Sequence, residues 1–119
     1  DKQAADENNI LWIEIPEPCW MSHVVNAAEV DGCILVDAIY YSNMDLDTMN
    51  GAQVRYEWNI SSWKLNMNTG FGERRAISPK GLRPEFPVIN SAYASHGSYR
   101  WSWVLLLNES TSSPWFSSI

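Results

Sequence analysis

The chain has 119 residues, 45% of them hydrophobic and 18% charged, with net charge −6, seven Trp and two Cys. That length allows one domain, and the aromatic content of 13% excludes a disordered chain. No apolar run nears the roughly 20 residues of a membrane helix, and the acidic balance excludes sequence-independent nucleic-acid binding, which relies on Lys and Arg to neutralise phosphates.

Residues 1–9 are polar and charged and read as an extended N-terminal arm. In the next six residues Leu11, Ile13 and Ile15 alternate with Trp12 and Glu14, a strand pattern that Pro16 and Pro18 end. Cys19 and Cys33 are the two cysteines. In a Trp-rich chain without an initiator Met they predict one disulfide and an extracellular, secretory or periplasmic setting; two free core thiols are the alternative. Ser22 is placed to cap a short helix over His23 to Val30, with Val24, Val25 and Ala28 on one face and Gly32 after it.

Cys33 to Tyr41 is almost continuously apolar and predicts a strand covered on both faces. Asn43, Asp45 and Asp47 alternate like loop calcium ligands, but Thr48 and Val54 replace the Gly and Glu of an EF-hand. A solvated acidic turn ending at Asn50-Gly51 is the simpler reading. Val54, Tyr56, Trp58 and Ile60 then alternate with polar residues. After Ser61-Ser62 the phase flips to Trp63, Leu65 and Met67, which predicts a bulge or tight turn.

Residues 68–97 carry four Gly and three Pro without a sustained period, and predict a long ordered loop or two short edge pieces. Ser98 to Leu107 places Tyr99, Trp101, Trp103, Leu105 and Leu107 on one core face. A Ser-rich tail, residues 108–119, contains Trp115, Phe116 and Ile119. The whole predicts an all-β single domain over 10–107, an antiparallel β-sandwich in preference to a small β-barrel, with at most one short helix.

Charge is uneven along the chain. Residues 1–50 sum to −9 and residues 51–119 to +3, with Arg74, Arg75, Lys80 and Arg83 clustered. No catalytic, cofactor or metal set stands out. Cys19, His23, Cys33 and His96 would use every Cys and His for one zinc ion at a spacing of no standard kind. Gly70-Phe71-Gly72 lacks the full glycine pattern of a phosphate cradle, and Ser95-His96 is no triad. Asn59 and Asn108 begin N-glycosylation triplets, at about the frequency chance predicts.

Trp12, Trp20, Trp115 and Phe116 are the residues expected outside the core. Two functions use exposed Trp: a protein interface, where it anchors hot spots, and stacking on sugar rings. The first reading is therefore a non-enzymatic extracellular subunit that assembles with other protein chains, including copies of itself. The Ile10–Ile15 strand would then add to a neighbour's sheet. The second is a carbohydrate-binding module, with glycans as partners. A small β-barrel enzyme acting on an apolar molecule comes third.

Overall fold

The computed structural model describes residues 10–43, 57–107 and 116–118, the last by backbone alone. Among them every paired strand is antiparallel, and one 3-10 turn, Ser91–Tyr93, is the sole helical piece. The all-β antiparallel expectation is therefore correct. The first sheet runs β1 (Trp20–Val30), β2 (Cys33–Tyr41), β3 (Trp58–Asn66) and β4 (Phe71–Ala76), each strand beside its neighbour in sequence. The second sheet runs β5 (Pro84–Ile89), β6 (Ser102–Leu107) and β7 (Phe116–Ser118).

The helix expected over His23–Val30 is instead the body of β1. Asp31 and Gly32 both take positive φ, 50° and 73°, as a two-residue hairpin turn requires. Gly32 therefore reverses a strand and does not end a helix, and the β-branched Val24, Val25 and Val30 fit the pleat. The second hairpin closes where the Asn66 side chain accepts hydrogen bonds from the Asn68 and Thr69 backbone N–H groups at 2.9 and 3.0 Å.

β3 runs without the bulge that the phase flip predicted, since its pairing with β2 stays in register from Trp58 to Asn66. The reason is burial on both faces. One face joins Ile60 and Trp58 to Val25, Ile39 and Tyr41, and meets Ile89, Tyr99 and Val104 from the β5–β6 region. The other groups Ala38, Tyr40 and Trp63 with Val36 and Leu65, under Ile15 and Cys19. Burying Ile39 and Trp63 completely stabilises the fold by about 1.5–3 kcal/mol each.

Residues 68–97 hold β4 and β5, so the alternative of two short pieces is the correct one. On β6 the expected phase is reversed at its start: Val104 packs inward, while Trp101 and Trp103 are exposed. Before β1, Glu14 bridges Phe71 in parallel, through Glu14 N to Gly70 O and Gly72 N to Glu14 O, both 2.8 Å. The 10–15 segment thus lies along this chain's own β4 edge, not a neighbour's. The arm over 1–9 and most of the tail lie outside the described residues.

Among the described residues no backbone ladder joins the two sheets. Side chains align them. Trp58 Nε1 donates to Pro84 O at 2.8 Å, and Tyr99 Oη donates to Asp37 Oδ2 at 2.8 Å. Asn26 donates to His96 O at 2.8 Å and accepts from Ser95 N at 2.9 Å. Gly97 lies so close to β1 that an added Cβ would stand 2.5 Å from Val30 Cγ2. Val is stiff at χ1 and cannot step aside cheaply. Gly97→Ala should therefore destabilise the protein by about 1–3 kcal/mol, read as a lower urea midpoint; an unchanged midpoint would refute this close approach.

Candidate functional site

Three strand irregularities converge on one pair of side chains. β1 slips register against β2 between Met21 and Val24 and again between Val24 and Asn26. His23 lies within this doubly bulged stretch. β5 slips against β6 between Glu85 and Val88, and Phe86 there has φ of 49°. A left-handed backbone is a genuine outlier for an aromatic residue, and such strain gathers at functional sites. Bulges re-aim side chains, and here they bring His23 Nε2 to 3.4 Å from Glu85 Oε2. The Phe86 ring lies 4.9 Å from the imidazole.

The two partners differ in setting. Glu85 is 8% exposed, and burial pushes its carboxyl above the usual value, with the His23 charge and a Phe86 backbone hydrogen bond opposing. The His23 side chain is 46% exposed. Nearby in sequence β1 also exposes Trp20, Met21 and Val24. A half-exposed imidazole set against a buried carboxylate is the arrangement of a metal-ligating histidine and its orienting partner. No three His, Cys, Asp or Glu converge among the described residues, so this stretch offers one ligand and not a closed site.

A different place also invites comparison. A cleft of about 710 Å³ opens between β2–β4 and the 96–100 loop, beside Asp37 and Tyr99. It contains neither His23 nor Glu85, and the buried carboxylate and converging bulges are the stronger indicators. At this cleft burial, then the hydrogen bond to Asp37 and its charge, hold the Tyr99 phenol well above 10. A raised phenol stabilises the fold fully below the unfolded value near 10 and loses that contribution as pH rises through the folded value. Tyr99→Phe should cost about 1.5–3 kcal/mol near pH 7. The gap from wild type should narrow above about pH 10, and a pH-independent gap would contradict this.

The sequence candidates fall elsewhere. Cys19 and Cys33 are free thiols. Val30 pairs with Cys33 at the turn end of the hairpin, whereas Cys19 precedes its far end, roughly 30 Å away at strand rise. The disulfide is therefore excluded, and with it the four-residue zinc set. Burial raises the Cys19 thiol most, ahead of the opposing Arg74 charge, so it is not an activated nucleophile. Trp12 is 85% exposed and Trp20 is exposed as well. Trp115 and Asn108 lie outside the described residues, as do the acidic residues Asp45 and Asp47. Phe116 opens β7.

Asn59 is buried, donating to Glu57 Oε1 at 2.7 Å and accepting from Ser61 Oγ at 2.7 Å, an amide with no room for a glycan. Gly70-Phe71-Gly72 forms the β3–β4 turn and the start of β4. His96 contributes its backbone carbonyl to Asn26 and an edge contact to Tyr93.

Sequence reasoning missed both Glu85 and Phe86, and met His23 only in the expected helix and in a zinc set of no standard spacing. The available signal was Glu85-Phe86-Pro87, where an acid and a proline interrupt a strand and so mark a bulge.

Known proteins add to this geometry. The carotenoid 9,10(9',10')-cleavage dioxygenase of Crocus sativus is 29% identical over 98 residues, 79% of this chain and 17% of that enzyme. Carotenoid 9,10(9',10')-cleavage dioxygenase 1 of Pisum sativum is 29% identical over 96 residues, with 77% and 17% coverage. The chain thus spans about a sixth of the length of these curated relatives. A crystal structure of an ACO/RPE65 chimera superposes with a TM-score of 0.62 at 20% identity, over 77% of this chain and 19% of that one. The fold is accordingly that of a β-propeller fragment, with consecutive antiparallel strands as in a propeller blade.

These findings overturn the assembly and carbohydrate-binding readings, because the relatives are dioxygenases. The extracellular placement also falls: it leaned on a disulfide that does not form, and nothing in these relatives restores it. The family model described as "RPE65: Retinal pigment epithelial membrane protein" matches residues 1–119, and the chain belongs to that family.

Proposed function

We propose that this chain is the part of a carotenoid-cleaving dioxygenase that contributes one histidine to the metal centre and the carboxylate that orients it. The observation that carries the reading is the His23–Glu85 pair at the junction of the two sheets, within a chain whose relatives bear that activity. The reaction inserts both atoms of dioxygen across one carbon–carbon double bond of a polyene, breaking it into two carbonyl products. Dioxygen is a triplet and the polyene a singlet, so a redox-active transition metal, iron(II) in most non-haem oxygenases, supplies the spin-allowed route when bound.

His23 and Glu85 fit such an ion. The Glu85 carboxylate fixes one ring nitrogen and raises the basicity of the other, while burial keeps bulk water from competing for its oxygens. The remaining ligands would come from other parts of the complete polypeptide. The surroundings suit an apolar substrate. Phe86 lines the imidazole on one side, and Trp20, Met21 and Val24 leave apolar surface along β1. A conjugated hydrocarbon offers no polar group to bind, so it must be held by shape and apolar contact.

The test is incubation of the complete polypeptide, loaded with iron(II), with carotenoids under ¹⁸O₂. The expected result is paired carbonyl products that carry the label. Intact carotenoid with fully loaded protein would overturn the reading.

A further inference from the structure

We propose that Trp58 is a positioning residue for Glu85 and, through it, for His23, an inference that rests on the dioxygenase reading above. His23 stands on β1 of the first sheet and Glu85 on β5 of the second. Because no ladder joins these sheets among the described residues, their separation at the site depends on side-chain bridges. Trp58 makes the bridge nearest in sequence to Glu85. It opens β3, and its indole N–H donates at 2.8 Å to the carbonyl of Pro84, the residue before Glu85. The indole leans on Tyr41 at 5.2 Å between ring centroids, so it is braced from its own sheet. Pro84 is fully buried and its carbonyl shares one rigid, planar peptide unit with the Glu85 nitrogen, so the restraint applied at that carbonyl passes to the next residue with little slack.

The ladder to β6 fixes where Glu85 lies along the second sheet, since Pro84 pairs with Leu106 and Glu85 with Leu105. It leaves the gap to the first sheet unset. The core around Ile39 and Ile60 sets that gap broadly, and Trp58 fixes it beside Glu85. The His23–Glu85 separation of 3.4 Å is at the outer edge of a polar contact, so a further shift of about half an ångström would uncouple the carboxylate. The indole donor also helps satisfy the carbonyl of a fully buried residue.

The test uses the complete polypeptide and compares Trp58→Phe, Glu85→Gln, the double variant and Tyr99→Phe. Each is measured for iron(II) dissociation constant by anaerobic titration, for kcat and KM, and for unfolding midpoint. Trp58→Phe should weaken iron(II) binding or lower kcat by about tenfold, with KM within about twofold. The double variant should be no worse than Glu85→Gln alone, the non-additivity expected of residues acting through one group. Tyr99→Phe removes another cross-sheet bond of the same length but should move the unfolding midpoint alone.

If Trp58→Phe folds poorly, a benzothienylalanine at position 58, which keeps the bicyclic shape and replaces the N–H by sulfur, gives the same comparison. Wild-type iron(II) affinity and kcat in the folded variant would overturn the inference, as would losses that add in full to those of Glu85→Gln. Failure of the underlying reading looks different: Glu85→Gln itself would leave metal affinity and turnover untouched, which would overturn both.

Discussion

If the proposed dioxygenase role holds, exchanging His23 for Ala should abolish carotenoid cleavage by the complete polypeptide and reduce its bound metal, whereas Glu85→Gln should leave an enzyme slowed by about 10- to 100-fold. The difference follows from their roles. In the proposed role His23 offers a ligand atom, while Gln at position 85 still presents an oxygen to the imidazole but removes the negative charge that strengthens it. The stability effects should run the other way. Glu85 carries a carboxyl that burial opposes, and a neutral amide of the same shape avoids that opposition. Metal-free Glu85→Gln should thus unfold at higher urea than wild type, by about 1–2 kcal/mol. A variant both slower and more stable marks a group kept for function at the expense of the fold. Equal loss of stability and activity would instead make Glu85 a structural residue.

The second large effect is expected at Arg74, on the opposite face of the first sheet. Its guanidinium lies 3.8 Å above the Tyr40 ring centroid. It also donates to Ser61 Oγ at 3.0 Å and, through Nη2, to Glu17 Oε2 at 3.0 Å. With its side chain 15% exposed and that of Glu17 60% exposed, the pair is half inside. Arg74 clips the segment before β1 onto the sheet and closes the cluster around Tyr40 and Trp63. Arg74→Ala should cost about 2–3 kcal/mol, from the lost cation–π contact, the lost charge-assisted bonds and the lost apolar stem. Glu17→Gln touches the exposed partner alone and should cost under about 1 kcal/mol. Comparable losses in the two variants, by chemical denaturation, would place the stabilisation in the salt bridge and not in the stacked guanidinium.

Much of the fold was legible in the residues, and the failures have physical causes. β2 was readable because an unbroken apolar run has one economical place, covered on both sides. The register of β3 was misread because its two faces are buried under different layers, so Ile60 and Trp63 both point inward in opposite directions. A reader who assumes one wet face must then invent a bulge. β1 was misread as a helix because its two extra residues break the period of two, and Asp31-Gly32, a strong hairpin signal, was assigned to a helix end.

The site was the least legible part. His23 and Glu85 are distant in sequence, share no motif and meet only after two sheets dock. Their relation is invisible to any periodicity, whereas the local rule-breaking of Glu85-Phe86-Pro87 was visible and unused. Conflict between local pattern and global fold is where function concentrates.

The absence of a ladder between the sheets among the described residues also bears on the order of folding. β1 to β4 form a meander whose contacts join neighbours in sequence, an arrangement with low contact order that forms early. Docking of β5 against β1 closes a much longer loop and comes after it. The His23–Glu85 pair is then among the last features to form, and the first to come apart. Substitutions at the joint, such as Tyr99→Phe, should accelerate unfolding while leaving the refolding rate nearly unchanged. Stopped-flow chevrons would show this as a shift in the unfolding limb alone, and a slowed refolding limb would place the joint in the folding nucleus.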